Sequence, residues 1–142
     1  ELAENPGLIP QAIEEILRWE PPALQIARYV SRDVSYYGQT VPEGSAMLML
    51  VGAANRDNRR FPPDGDVFDI HREQRWHMTF GAGTHFCMGS RLAELQLRVL
   101  WEELLKRFEH IEVLAEPERV RSNFVKGYAS MQVMLHSKAR AA

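Results

Sequence analysis

The residues best suited to chemistry lie in one run, FGAGTHFCMG, from Phe80 to Gly89. It holds the only cysteine of the 142 residues, beside His85 and the glycines Gly81, Gly83 and Gly89. A thiolate serves as nucleophile, redox group or soft metal ligand, so Cys87 admits several readings. Burial as an inert structural thiol is the commonest fate of a free cysteine. It leaves the glycines unexplained, since glycine costs conformational entropy unless backbone must come close to something. A zinc site could recruit His71, His77 and His85, yet the spacings fit no familiar pattern and structural zinc usually takes more thiolates. A Cys/His nucleophile needs a contact that a separation of two residues does not establish. A phosphate loop fails because Phe86 stands where the third glycine of GxGxxG belongs. Axial ligation of a haem iron accounts for more. The glycines let backbone pass beneath a flat macrocycle, and a helical pattern follows whose N-terminal dipole and free N–H groups favour an anion.

Upstream, IPQAIEEILRW predicts a helix with Pro10 in its first turn and Ile9, Ala12, Ile13, Ile16 and Leu17 on one face. Pro21-Pro22 ends it. Between Leu24 and Leu50 the runs LQIARYV, DVSYYG and SAMLMLV, punctuated by Gly38 and Pro42-Glu43-Gly44, predict one small antiparallel sheet. Residues 52–79 are polar and irregular, but Phe61, Val67, Phe68, Ile70 and Trp76 are interspersed, which predicts an ordered meander. After the cysteine, Ser90 to Phe108 predicts a long helix. Its apolar stripe is Ala93, Leu97, Leu100, Leu104 and Phe108, thickened by Trp101 and Leu105. Glu94/Arg98, Glu102/Lys106 and Glu103/Arg107 are spaced as i,i+4 pairs. IEVL and YASMQVML form a β-rich tail, joined by a loop that includes SNFVKG. Helices and strands are segregated, so the class is α+β: mostly α with small antiparallel β-sheets.

Hydrophobic residues make up 45% and charged residues 25%, with a net charge of −2. That balance gives no general attraction to nucleic acid or anionic lipid and points to a small-molecule site. A single cysteine excludes an internal disulfide and suits a reducing, cytoplasmic setting. No apolar run approaches the ~18 residues of a membrane span. The chain opens at Glu1 rather than Met, and the expectation is a piece of something longer.

Phe80-Gly81-x-Gly83-x-His85-x-Cys87-x-Gly89 resembles the haem-binding signature of the soluble bacterial cytochrome P450 family. Glu15-x-x-Arg18 resembles its ExxR helix motif, and Ala54–Asp57 with Phe68–Arg72 resembles its meander, in matching order from about Leu8 to Leu135. The resemblance implies that Cys87 is the thiolate ligand of haem b (iron protoporphyrin IX), with Phe80, Gly81, Gly83, His85 and Gly89 around it. It implies that Arg28 and His85 hold the haem propionates. By sequence alone the alternative for Arg28 is a charge guarding an edge strand. Glu15 and Arg18, which helix periodicity alone puts on a solvated face with Glu14 as the i,i+4 partner of Arg18, would point inward and meet Arg72. The family's usual Arg before the meander Phe is Val67 in this chain. Leu24 and Ile26 would line the substrate pocket, with Phe124 and Val125 closing it from the other side.

The implied activity is a monooxygenase placing one atom of O2 into a C–H bond of a small hydrophobic substrate. Electrons would come from NAD(P)H through a ferredoxin or flavin reductase. That partner would dock on the proximal surface near Arg72, Arg75, Arg91 and Arg98. Residues 1–142 resemble only the C-terminal third of the family's fold, its haem-binding part, without the N-terminal part that carries the distal helix. The alternative is a truncated haem-binding or interaction module with no turnover by itself.

Overall fold

The computed structural model describes residues 1–73 and 76–138. In chain order the elements are α1 (Ile9–Trp19), β1 (Ile26–Tyr29), β2 (Val34–Tyr36), β3 (Gln39–Val41), β4 (Ala46–Met49) and α2 (Val51–Ala54). Then follow α3 (Ser90–Arg107), β5 (Phe108–Val113), β6 (Glu118–Arg119), β7 (Tyr128–Ser130) and β8 (Val133–Ser137).

Ile9, Ile13 and Leu17 of α1 are buried at helical spacing, and Leu97, Trp101 and Leu105 of α3 pack against them together with Phe80. Each fully buried aliphatic side chain contributes ~1.5–3 kcal/mol, so this seam holds the two long helices together. Because Phe80 belongs to it, the start of the cysteine loop is seated in the same core.

The stretch expected to form one sheet forms two ladders. β1 pairs with β4, setting Arg28 opposite Met47, while β2 and β3 make their own hairpin. Tyr37 and Gly38 both take positive φ there, the turn geometry that closes a two-residue hairpin on itself. The run after β4 was expected to be irregular throughout, but it begins with the short helix α2.

Helix α3 stops at Arg107, and Phe108, expected as its last residue, is extended at φ −120°. Strand pairing wins there, since the Lys138 N–H donates to the Arg107 carbonyl at 3.0 Å as the β5–β8 ladder begins. The YASMQVML run divides: β7 pairs with β6 and β8 with β5. On α3 the observed pairs are Arg91–Glu94, Arg98–Glu102, Lys106–Glu103 and Arg107–Glu103. Of the three expected pairs only Glu103/Arg107 forms: Arg98 takes Glu102, also at i,i+4, while Arg91 and Lys106 reach their partners from i,i+3 positions.

Gly65 marks a close approach in the meander. A Cβ there would lie 2.3 Å from the Arg56 carbonyl oxygen, so no other residue fits without moving backbone. Among the described residues no helix is long and apolar enough to cross a membrane.

Candidate functional site

Beneath the cysteine loop lies a buried polar network. Arg18 is 1% exposed and Glu15 5%, which overturns the solvated-face reading of helix periodicity. Arg18 Nε and Nη2 donate to the two Glu15 carboxylate oxygens at 2.7 Å each. Its Nη1 donates to the carbonyls of Asn55 and Gly65, both at 2.7 Å, and Nη2 also to that of Val67 at 2.9 Å. Glu15 accepts in addition the backbone N–H of Asp69 at 2.7 Å. Arg72 is buried too. It donates to the carbonyls of Phe61, Pro62, Asp64 and Val67, with its Nε 3.6 Å from Glu15. Val67 therefore serves both arginines through its carbonyl, a contribution independent of its side chain. A carboxylate held bidentately by arginine and a backbone amide is among the stronger arrangements of its kind. Glu14, expected beside Arg18, instead stands 3.5 Å from the buried His77.

Sequence reasoning missed Asn55 as a site residue, although it lies in the quoted Ala54–Asp57 run. It is fully buried. Its Nδ2 donates to the Arg18 carbonyl at 3.1 Å and to Thr79 Oγ1 at 2.9 Å, while Oδ1 accepts the Met78 N–H at 2.7 Å. Thr79 Oγ1 in turn donates to the Leu17 carbonyl at 2.7 Å. The end of α1 is thus stitched to the residues just before Phe80. The Phe80 carbonyl then accepts the Cys87 N–H at 2.9 Å, closing the loop.

Gly81 and Gly83 hold φ of 74° and 65°, conformations that let the chain turn twice within this short loop. His85 ends the 3-10 turn Gly83–His85. Gly89 caps α3, and a Cβ on it would sit 3.8 Å from the Cys87 sulfur, so the thiol lies beside the first turn of the 18-residue helix. Cys87 is exposed, against the reading as a buried structural thiol. Phe80 and Phe86 form an edge-on pair with centroids 6.3 Å apart. Phe86 is nevertheless 49% exposed, so in this chain it does not seal the sulfur from water.

Cys87, His85, Arg28, Phe80 and Gly81 converge on one hollow of about 340 Å³, walled by Ile26, Met49, Val51, Met78, Thr79 and Ala82. Arg28 is exposed on β1, and among the described residues its side chain bonds only the Ala27 carbonyl, at 3.0 Å. A soft sulfur donor, a guanidinium, an imidazole and apolar side chains around one hollow suit a flat, apolar, dianionic macrocycle with a metal centre. The residues present fit a haem.

Of the four pocket residues expected, only Ile26 lines this hollow. Leu24, Phe124 and Val125 meet next to it, where the Leu24 N–H donates to the Phe124 carbonyl at 3.2 Å and Ala23 bridges Val125. A zinc site finds no support. Among the described residues no group of three His, Cys, Asp or Glu could hold a metal ion, and His71 is instead 2.6 Å from Glu1. The docking surface also needs correction. Arg72 is buried in the carbonyl network, leaving Arg91 and Arg98 exposed on α3, while Arg75 lies outside the described residues.

A free thiol in an apolar hollow, at the head of a long helix and braced by a buried Glu–Arg pair, defines a haem-thiolate type of site. The family model for cytochrome P450 matches residues 5–135, and the chain belongs to that family. It is 43% identical over 144 residues to a Mycobacterium tuberculosis protein named as cytochrome P450 126, covering 94% of this chain and 34% of that protein. It is 37% identical over 137 residues to linalool 8-monooxygenase of Pseudomonas putida, covering 96% of this chain and 34% of that protein. It is 36% identical over 136 residues to a Mycobacterium tuberculosis steroid C26-monooxygenase, with 94% and 36% covered. The fold matches CYP109E1 of Bacillus megaterium, solved with corticosterone, at TM-score 0.88 and 33% identity, covering 93% of this chain and 36% of that one. The chain spans about a third of the length of these relatives and carries a fragment of the cytochrome P450 fold.

Proposed function

We propose that residues 1–142 are the C-terminal, haem-binding part of a monooxygenase that inserts one oxygen atom from O2 into a hydrophobic organic compound. The observation that carries this reading is the convergence of Cys87, His85 and Arg28 on one apolar-walled hollow. When bound, haem b supplies oxygen activation, which a thiolate ligand favours by pushing electron density toward O–O cleavage. In this reading Cys87 would hold the iron, with the glycines at 81, 83 and 89 shaping the loop that presents it. Arg28 and His85 would bind the two propionates, and Ile26, Met49 and Val51 would supply apolar wall to the ring. The Glu15–Arg18–Arg72 network keeps the loop in place from below. Electrons would derive from NAD(P)H through a ferredoxin or flavin reductase, with Arg91 and Arg98 offering exposed positive charge to an acidic donor. The names of the relatives, a steroid and a linalool monooxygenase, support a hydrophobic substrate.

The test is the reduced carbon monoxide spectrum of the complete haem-loaded protein. A Soret band at the red-shifted position of thiolate-ligated haem, lost in Cys87→Ala, is the expected result. A histidine-type band, or no change on the substitution, overturns the assignment. The second reading, a haem-binding module without turnover of its own, is favoured for this segment in isolation by the exposure of Phe86 and of Met88 beside the sulfur. Haem-loaded segment that consumes no oxygen when given an electron donor, while the complete protein does, would establish it.

A further inference from the structure

The turn carrying Phe124 and Val125 has little packing to hold it, since these side chains are 53% and 44% exposed. Polar bonds hold it instead. Ser122 Oγ accepts the N–H groups of Phe124 at 3.1 Å and Val125 at 3.0 Å, which shapes the turn internally. Among the described residues its outer links go to the chain leaving α1. The Lys126 N–H donates to the Pro22 carbonyl at 2.7 Å, the Leu24 N–H to Phe124, and Gln25 Nε2 to the Asn123 carbonyl at 3.2 Å. Beyond these, Lys126 Nζ reaches Glu20 Oε2 at 2.5 Å. Glu20 is a fixed post. It caps α1 two residues after the buried Arg18, its N–H donates to Ile16, and the stiff Pro21-Pro22 pair follows. The ion pair therefore ties a loosely packed turn to the capped end of α1.

We propose that Glu20–Lys126 is a latch that sets the spacing between the Phe124–Val125 turn and the strand bearing Leu24 and Ile26, and so determines which substrates the complete protein accepts. This rests on the reading of those four side chains as the substrate rim. Both partners are positioning residues, because neither belongs to the hollow itself. The pair is partly exposed, at 28% for Lys126 and 37% for Glu20, so its effect is modest: about two- to fivefold in a binding constant. That strength suits a rim that must yield to let a ligand pass.

The experiment uses the complete haem-loaded protein with two probes of different width, dodecanoic acid and corticosterone. Lys126→Met and Glu20→Gln should each change the ratio of the two Kd values about two- to fivefold in the same direction. The double variant should add nothing, and the exchanged pair Glu20→Lys with Lys126→Glu should return the ratio toward the parent value. A second arm follows amide hydrogen exchange: the Leu24 and Lys126 amides should exchange faster in each single variant, while those of α1 do not change. Unaltered Kd ratios, additive effects or unchanged exchange at Leu24 and Lys126 overturn the latch. Loss of the thiolate-type carbon monoxide band with Cys87 intact would instead remove the haem reading, and the exchange arm alone would then decide the latch.

Discussion

Arg28 is the residue whose ligand-binding role separates most cleanly from any role in stability. It projects from β1 with a single bond to the Ala27 carbonyl, so the folded chain has little need of its charge. Arg28→Leu should leave unfolding of the haem-free protein within about 0.5 kcal/mol of the parent. It should also accelerate haem transfer to apomyoglobin severalfold, followed by the Soret band of the acceptor. Equal transfer rates would remove Arg28 from the propionate site. Asp57 carries a different signature. The side chain of Arg59 donates to its carboxylate, Arg59 N–H adds a backbone bond, and its pKa is lowered to about 2 from 3.8. A carboxylate with a depressed folded pKa stabilises the fold above its unfolded pKa, and that contribution is lost as pH falls from about 4 through about 2. Carboxyl NMR titration should find Asp57 near that lower value. In Arg59→Ala the midpoint should climb back toward 3.8, and the stability the pair contributes above that pH should be lost with it.

Helix α1 and the meander behave as one element because their polar groups are shared. Glu15 sits between two buried arginines, so removing its charge leaves both facing only carbonyl dipoles. Breaking a buried pair from one side typically costs ~3–5 kcal/mol. Glu15→Gln should therefore lower the unfolding free energy from denaturant titration by that margin, and a loss below about 1 kcal/mol would show that the carbonyls alone hold the arginines. Gly65→Ala probes the same junction sterically, since the new methyl meets the Arg56 backbone at 2.3–2.6 Å. Overpacking of that kind costs typically ~1–3 kcal/mol. Its effect should be smaller when combined with Glu15→Gln than alone, because both act on the seat of Arg18.

Across the molecule the telling asymmetry is on α3. One side, Leu97, Trp101 and Leu105, packs on α1. Leu92, Leu95, Val99 and Leu100 remain exposed, and Leu95, Val99 and Leu100 line an open apolar trough with Gln96 and Glu103. A helix apolar on both sides belongs in an interior, and an uncovered apolar face of this kind promotes association. Expressed by itself, the 142-residue chain should bind a hydrophobic dye more strongly per molecule than the complete protein and should sediment as more than a monomer. Leu95→Gln with Val99→Lys should reduce both signals. A dye-silent monomer would mean that the trough needs no cover.

Local patterns were legible wherever chemistry acts over short spans. Periodicity placed α1 and α3 within a residue of their observed ends, and the spacing of glycines, histidine and cysteine named the loop that borders the hollow. Pairing choices were not legible, because strands such as Val34–Tyr36 and Gln39–Val41 carry no signal of partner beyond the turn that joins them. Nor could periodicity tell the buried side of α1 from the wet one at Glu15 and Arg18, since a charge on a helix faces water unless carbonyls from elsewhere replace it. Those carbonyls arrive from positions 37 to 49 residues downstream, at Asn55, Gly65 and Val67. The same distance hid Asn55, an ordinary polar residue until the fold set Arg18 on one side of it and Thr79 on the other. The spacing within a thiol loop is local, and its own few residues carry that signal. Whether a charge is buried and satisfied depends on backbone brought from far along the chain, and folding alone assembles that.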